Sequence, residues 1–132
     1  MPKFSKRSQQ ILDTCHPDLV YLMRYSIQDG PDFSIISGQR GRAEQNTLFD
    51  EGKSKLRYPK SKHNHLPTSL AVDVAPYPID WKNDYRFMVL GGWILHCASV
   101  LRIPIIWGGD WNQNWNPKDN WIDAGHFELK EC

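Results

Sequence analysis

The sequence predicts an α+β fold with a small, largely antiparallel sheet flanked by helices. Three observations lead there. Apolar spacing along the chain changes in the order helices, strand, helix, strand, long helix, strand, strand. The strand-like runs are short and bounded by turn residues, as at Asp29-Gly30-Pro31-Asp32 and Gly108-Gly109-Asp110-Trp111. No internal repeat or linker divides the 132 residues, so residues 1–132 are read as one domain, long enough to bury a core without staples.

Taken in order, Ser5 is a cap for a first helix whose Ile11, Leu12 and Cys15 recur at helical spacing. His16-Pro17 breaks it, and Pro17 suits the first position of a second helix with Leu19, Val20, Leu22, Met23 and Ile27 as its buried stripe. Phe33 to Ser37 is the first strand, followed by a Gly-flanked loop, Gly38-Gln39-Arg40-Gly41. Ala43 to Glu51 reads as a helix with Leu48 and Phe49 inward and Gly52 ending it. A basic stretch then runs from Lys53 to Lys62. Its plain reading is a solvated loop, and its sharper one a surface that helps hold an anionic polymer.

A polar, Pro-containing loop with His63 and His65 leads into Leu70-Ala71-Val72-Asp73-Val74-Ala75-Pro76, a strand with Val72 and Val74 on one face and Asp73 on the other. The long helix spans about Asn83 to Leu101, where each of Gly91 and Gly92 would cost roughly 1 kcal/mol relative to Ala. A close helix–sheet contact is the expected reason. His96 on this helix is read as a surface or core residue rather than a ligand. Ile103 to Trp107 is a further strand, an Asn- and Trp-rich loop extends to Trp121, and the last strand carries His126. Loops of that length in compact domains are usually functional, and Trp with Asn suits a polysaccharide or peptide ligand.

Composition excludes several classes. A formal charge of +1 gives no basic excess of the kind that nucleic-acid surfaces carry. Hydrophobic residues make up 40%, with six Trp, which marks a folded globule rather than a disordered chain. The longest apolar runs are far too short to span a bilayer. The first ten residues are charged and polar with no apolar run behind them, so no signal peptide is expected and the protein is expected to be made in a cytoplasm. Cys15, Cys97 and Cys132 are an odd number at no metal-like spacing and read as free thiols.

What remains is a coincidence of metal-ligating residue types. Taken singly, a His in a strand or an Asp in an apolar run has an ordinary structural reading. Here a His-x-His loop and Asp73 bracket one strand, while His126 sits on another with Asp123 three positions before it. A carboxylate within an apolar run needs a partner or a metal. Two histidines and an aspartate leave the fourth position of zinc open, the catalytic arrangement, whereas structural sites close it, usually with Cys. Zinc lowers the pKa of water that it binds, and a neighbouring carboxylate can take the proton and pass it to a leaving amine. Asp123 fits that role better than that of a fourth ligand, since on an extended segment it points away from the side of His126 and can lean over the metal.

Ser61-Lys62-His63, Ala71-Val72-Asp73 and Asp123-Ala124-Gly125-His126 together resemble the zinc peptidases grouped with D-alanyl-D-alanine carboxypeptidases. They are most similar to the phage endolysins of that group that act as L-alanyl-D-glutamate peptidases. Phe33 to Arg40, Ala75-Pro76-Tyr77 and Gly108-Gly109-Asp110-Trp111 also resemble family segments, so the likeness covers most of the chain from about Phe33 onward. It implies a hedgehog/D-Ala-D-Ala peptidase-like fold, one catalytic zinc on His63, Asp73 and His126, Asp123 as general base, and Arg40 against substrate or the developing oxyanion. It further implies an endopeptidase of the peptidoglycan stem peptide, cutting between L-Ala and D-Glu. Such a phage lysin would be a monomer with no stable membrane association and no separate wall-binding domain. It would stay in the host cytoplasm until a holin-type lesion gives access to the wall. The rivals are a D-Ala-D-Ala carboxypeptidase or dipeptidase with the same zinc chemistry, and a non-catalytic module that binds wall peptide.

One departure from the family pattern bears on the ligands. The family writes Ser-x-His-x-x-Gly-x-Ala-x-Asp, with seven positions from His to Asp. Here His63 and Asp73 are ten apart and the Gly is missing, so the loop is three residues longer. His65 is therefore a second candidate, with the Ser-Lys-His context favouring His63.

Overall fold

A computed structural model describes residues 2–113 and 123–130. Helix α1 (Lys6–Leu12) starts where Ser5 Oγ accepts the Ser8 N–H at 3.1 Å, and α2 (Pro17–Asp29) starts on Pro17. Strand β1 (Phe33–Ser37) follows, then α3 (Arg42–Asp50), a single 3-10 turn (Lys62–Asn64) and β2 (Ala71–Pro76). Helix α4 (Asp84–Leu101), capped by Asn83 and ended by Arg102 in the left-handed conformation at φ 58°, leads to β3 (Ile105–Trp107) and β4 (His126–Leu129). The element order is the one that the apolar spacing predicts.

The four strands form one sheet in the order β1-β2-β4-β3, and every neighbouring pair is antiparallel. Alternation gives the sheet two characters. Phe33, Ile35, Val72, Val74, Phe127 and Leu129 join one buried core with Leu19, Leu22 and Met23 of α2 and Leu90 and Ile94 of α4. Burying a side chain such as Phe127 contributes about 1.5–3 kcal/mol. The opposite face carries Asp73, His126 and Glu128. Among the described residues, no helix is long and apolar enough to cross a membrane.

Three local expectations change. The third strand is shorter than expected, because the Ile103 N–H closes the end of α4 on Ala98 O at 2.9 Å and Pro104 has no N–H to give. In α3 the fully buried residue is Gln45, not Leu48 or Phe49. The helix–sheet contact accounts for Gly91, where a Cβ would come within 2.2 Å of the Trp107 indole, but Gly92 faces open space. His96 is exposed on α4, as expected.

Candidate metal centre

The histidine loop is shaped by its own side chains. Ser61 Oγ accepts the His63 N–H at 3.2 Å, while Asn64 Oδ1 accepts the Ser61 N–H at 3.1 Å, a reciprocal capping box that winds the 3-10 turn. The Arg40 N–H donates to His63 O at 2.8 Å, and Asn64 Nδ2 donates to Arg40 O at 3.1 Å. The loop leaving β1 and the histidine turn are thus stitched together. His63 is buried, and its Nδ1 lies 2.8 Å from Gly38 O.

The other two residues are brought together by sheet register. Asp73 on β2 stands directly opposite His126 on β4. Asp73 Oδ1 lies 3.1 Å from His126 Nδ1, and Asp73 Oδ2 lies 3.3 Å from His63 Nε2. One donor atom from each of His63, Asp73 and His126 falls within 4.8 Å of the others.

Two features of this cluster fit a metal cation. A carbonyl oxygen only accepts, so His63 Nδ1 carries a ring proton, and in the neutral ring that a metal would bind Nε2 presents a lone pair. That Nε2 is buried without a hydrogen bond among the described residues and faces a carboxylate oxygen, another lone pair. A cation between them turns this repulsion into two bonds. The donor set is the second feature: two imidazoles and a carboxylate, converging within 4.8 Å, are the ligand types of a catalytic zinc site.

The surroundings set the charges. Burial would raise the Asp73 carboxyl, but protonated His63 and His126 beside it, and the hydrogen bond from His126, outweigh it and hold it well below the usual carboxylate range. Burial opposes the charged form of His126, yet its bonds to Asp73 and Glu128 raise its pKa to about 9. Glu128 Oε1 lies 2.8 Å from His126 Nε2, and Lys62 Nζ lies 2.9 Å from Glu128 Oε2. Asp123 is pushed up, chiefly by burial and then by the charge of Asp73. Arg40 Nη2 lies 2.6 Å from Asp73 Oδ2, and its Nε donates to Ser37 Oγ at 2.9 Å.

Residues 1–130 match the model of the family described as phage L-alanyl-D-glutamate peptidase. The chain belongs to that family. It is 33% identical over 135 residues to the L-alanyl-D-glutamate peptidase of Escherichia phage T5, covering 96% of this chain and 97% of that protein. The crystal structure of the Serratia marcescens L-Ala D-Glu endopeptidase ChiX superposes with a TM-score of 0.76 at 28% identity, covering 97% of this chain and 90% of that one.

Within this peptidase family, the longer loop is accommodated without disturbing the cluster. The Leu70 N–H returns to Lys62 O at 3.0 Å, and Ser69 pairs with the Thr14–His16 segment, so residues 65–68 are set aside as an outward excursion. His65 lies on that excursion, exposed, with Nδ1 2.9 Å from Thr68 O. His63 is the histidine in the cluster.

Asp123 is reached by a turn rather than an extended segment: the His126 N–H donates to Asp123 O at 3.0 Å. Gly125 permits it, since a Cβ there would stand 2.4 Å from Val74 O. Asp123 lies outside the ligand cluster but lines the same groove as all three of its members. Arg40 also lines that groove, but its nearest charge is the cluster aspartate.

Glu128 and Gln45 stand against the cluster and its supports without having been singled out in the sequence, and Lys62, noted there only for its place in a basic stretch, pairs with Glu128. Gln45 receives Arg40 Nη1 at 3.4 Å and Asn64 Nδ2 at 3.3 Å on its Oε1. Trp111 is a further case, its ring 5.3 Å from that of His126. The signal for Glu128 was present, because a residue two beyond His126 on a strand shares its face. Of the expected Asn/Trp loop, residues 114–121 lie outside the described residues.

Proposed function

We propose that this protein is a zinc-dependent peptidoglycan endopeptidase that hydrolyses the L-Ala–D-Glu bond of the stem peptide, and that it serves as a phage endolysin. The observation that carries the reading is the buried, unbonded Nε2 of His63 facing Asp73 beside His126, with Asp123 in the same groove.

His63, Asp73 and His126 would hold one zinc ion. When bound, zinc supplies a Lewis acid that polarises the scissile carbonyl and makes water acidic enough to attack near neutral pH. Asp123 takes the proton from the attacking water and returns it to the departing D-Glu nitrogen. Its raised pKa suits the first half of that transfer, because a more basic carboxylate takes the proton more readily and holds it until the amine departs. Arg40, held by Asp73, Ser37 and Gln45, is fixed in the groove wall with N–H donors to spare among the described residues. Those donors stabilise negative charge that develops on the carbonyl oxygen. The same guanidinium holds Asp73 in place for the metal.

The test is mass spectrometry of fragments released from purified sacculi by the zinc-loaded protein. New amino-terminal D-Glu, with L-Ala left on muramic acid, is the expected result. Free D-Ala as the main product would make the protein a carboxypeptidase, and no release at all would make it a binding module.

A further inference from the structure

Two grooves meet at the reaction centre, sharing Asp73 and Asp123, and their linings differ in charge. One, of about 300 Å3, is walled by Ile36, Val74, Trp81, Phe87 and Asp84, and among the described residues its lining holds three carboxylates and no basic residue. The other, of about 320 Å3, is lined by Arg40, Lys53, Lys55, Lys60 and Lys62, five basic residues against three acidic ones. Trp81 is 62% exposed, yet its ring stacks on Phe87 at 5.8 Å and 25°. A held aromatic with a wet face is an apolar platform for a ligand.

The substrate that the proposed reaction requires is also asymmetric about its scissile bond. On the acyl side L-Ala joins the muramoyl sugar through a neutral amide. On the amine side D-Glu continues through its γ-carboxyl and carries a free α-carboxylate. Carboxylates are repelled by a groove with only acidic charges and attracted by one rich in lysine.

Resting on the function proposed above, we propose that the grooves fix the direction of the bound stem. The muramoyl-L-Ala arm lies against Trp81 in the acidic aromatic groove, and the D-Glu arm lies in the lysine groove. The lysine groove thereby selects stems whose D-Glu keeps its free α-carboxylate over stems in which it is amidated. The basic stretch Lys53–Lys62 is then a specificity surface rather than solvated loop alone.

The test uses zinc-loaded full-length protein and synthetic stems in matched pairs: free acid against α-amide, and muramoyl against N-acetyl at the L-Ala end. Exposed Lys55 and Lys60 are changed together to Glu, and Trp81 to Ala, with thermal unfolding as a check on folding. The wild type should favour the free acid, and the K55E/K60E double variant should raise KM about tenfold for that stem and little for the amide. Trp81→Ala should raise KM for the muramoyl stem and leave the N-acetyl stem nearly unchanged. Equal losses on both members of a pair, or Trp81→Ala discriminating acid from amide, would overturn the orientation while leaving the peptidase reading intact. Failure of the wild type to cut any of the four stems would overturn the peptidase reading itself.

Discussion

Oε1 of Glu128 accepts a hydrogen bond from Nε2 of His126 at 2.8 Å, leaving the other ring nitrogen, Nδ1, turned to Asp73. The same carboxylate is gripped from the far side by Lys62 at 2.9 Å, and Lys62 also donates to Leu129 O at 2.7 Å. Lys62 is the immediate neighbour of His63, so one ion pair ties together the two elements that present the histidines. A ligand histidine oriented by a carboxylate on its other nitrogen is better aimed and more basic toward a metal.

Glu128→Gln should therefore weaken zinc binding by roughly 10–100-fold while leaving the fold intact. The amide is nearly isosteric, but it forfeits the charge that both His126 and Lys62 answer. Chelator competition gives the affinity and circular dichroism checks the fold. Unchanged affinity would reduce Glu128 to a surface partner of Lys62.

Metal binding should also displace a proton. His126 in the metal-free protein has its pKa raised to about 9 by Asp73 and Glu128, so at pH 7 it is protonated on both ring nitrogens. A ligand nitrogen must be bare. Zinc affinity should thus climb as pH rises from 6 towards 9, with close to one proton released per ion at pH 7. Calorimetry in buffers of different ionisation enthalpy measures that proton directly.

The same groups shape the stability of the metal-free protein. The folded pKa of His126 is raised above its unfolded value, so its contribution is complete below about pH 6.5 and is lost as pH rises through about 9. Asp73 has the opposite sign: its contribution is present above about pH 4 and fades as pH falls further. Thermal unfolding of stripped protein should peak between about pH 4 and 6.5, then fall by roughly 5 °C or more towards pH 9. Zinc-loaded protein should not lose stability over that upper range, because the metal replaces the proton.

The ligand pair in the lengthened loop gives a sharper contrast. His63→Ala removes a buried cluster member and should abolish tight zinc binding. His65→Ala alters an exposed ring whose contact is with its own loop at Thr68, and it should keep both zinc and turnover. Loss of zinc from His65→Ala alone would place the metal on the other histidine.

Much of this was legible in the sequence wherever the cause is local. Ser5, Pro17 and Asn83 begin their helices through caps and fixed dihedrals that act over three residues. Strand alternation put Val72 and Val74 on one face and Asp73 on the other. The pairing of Asp73 with His126 is different, because register between strands 53 residues apart is set by the whole sheet. Gln45 was passed over because a polar residue on a short helix reads as surface. Its amide is instead consumed by Ser54, Leu56 and Asn64, while Phe49 is left at the rim under the Arg57 guanidinium at 4.5 Å. The family resemblance implies Arg40 against substrate or the developing oxyanion. Its pairing with Asp73 needs β1 and β2 side by side and has no sequence signature.

Asp123→Asn separates holding the metal from moving the proton. Asp123 stands outside the cluster of ligand atoms, on a turn that the backbone closes between Asp123 O and His126 N, so the amide should leave fold and zinc content unchanged. Chemistry should suffer, because an amide cannot accept the proton of the attacking water. Turnover on the stem peptide should fall by roughly 10²–10⁴, with KM little altered. In the parent protein the acid limb of the turnover–pH profile should lie above the ordinary carboxylate range, since burial and the charge of Asp73 both push the Asp123 carboxyl up. That limb should vanish in Asp123→Asn, whose residual rate tracks hydroxide instead. A variant that keeps the limb and near-normal turnover would take Asp123 out of the reaction, and one that loses zinc would make it a ligand.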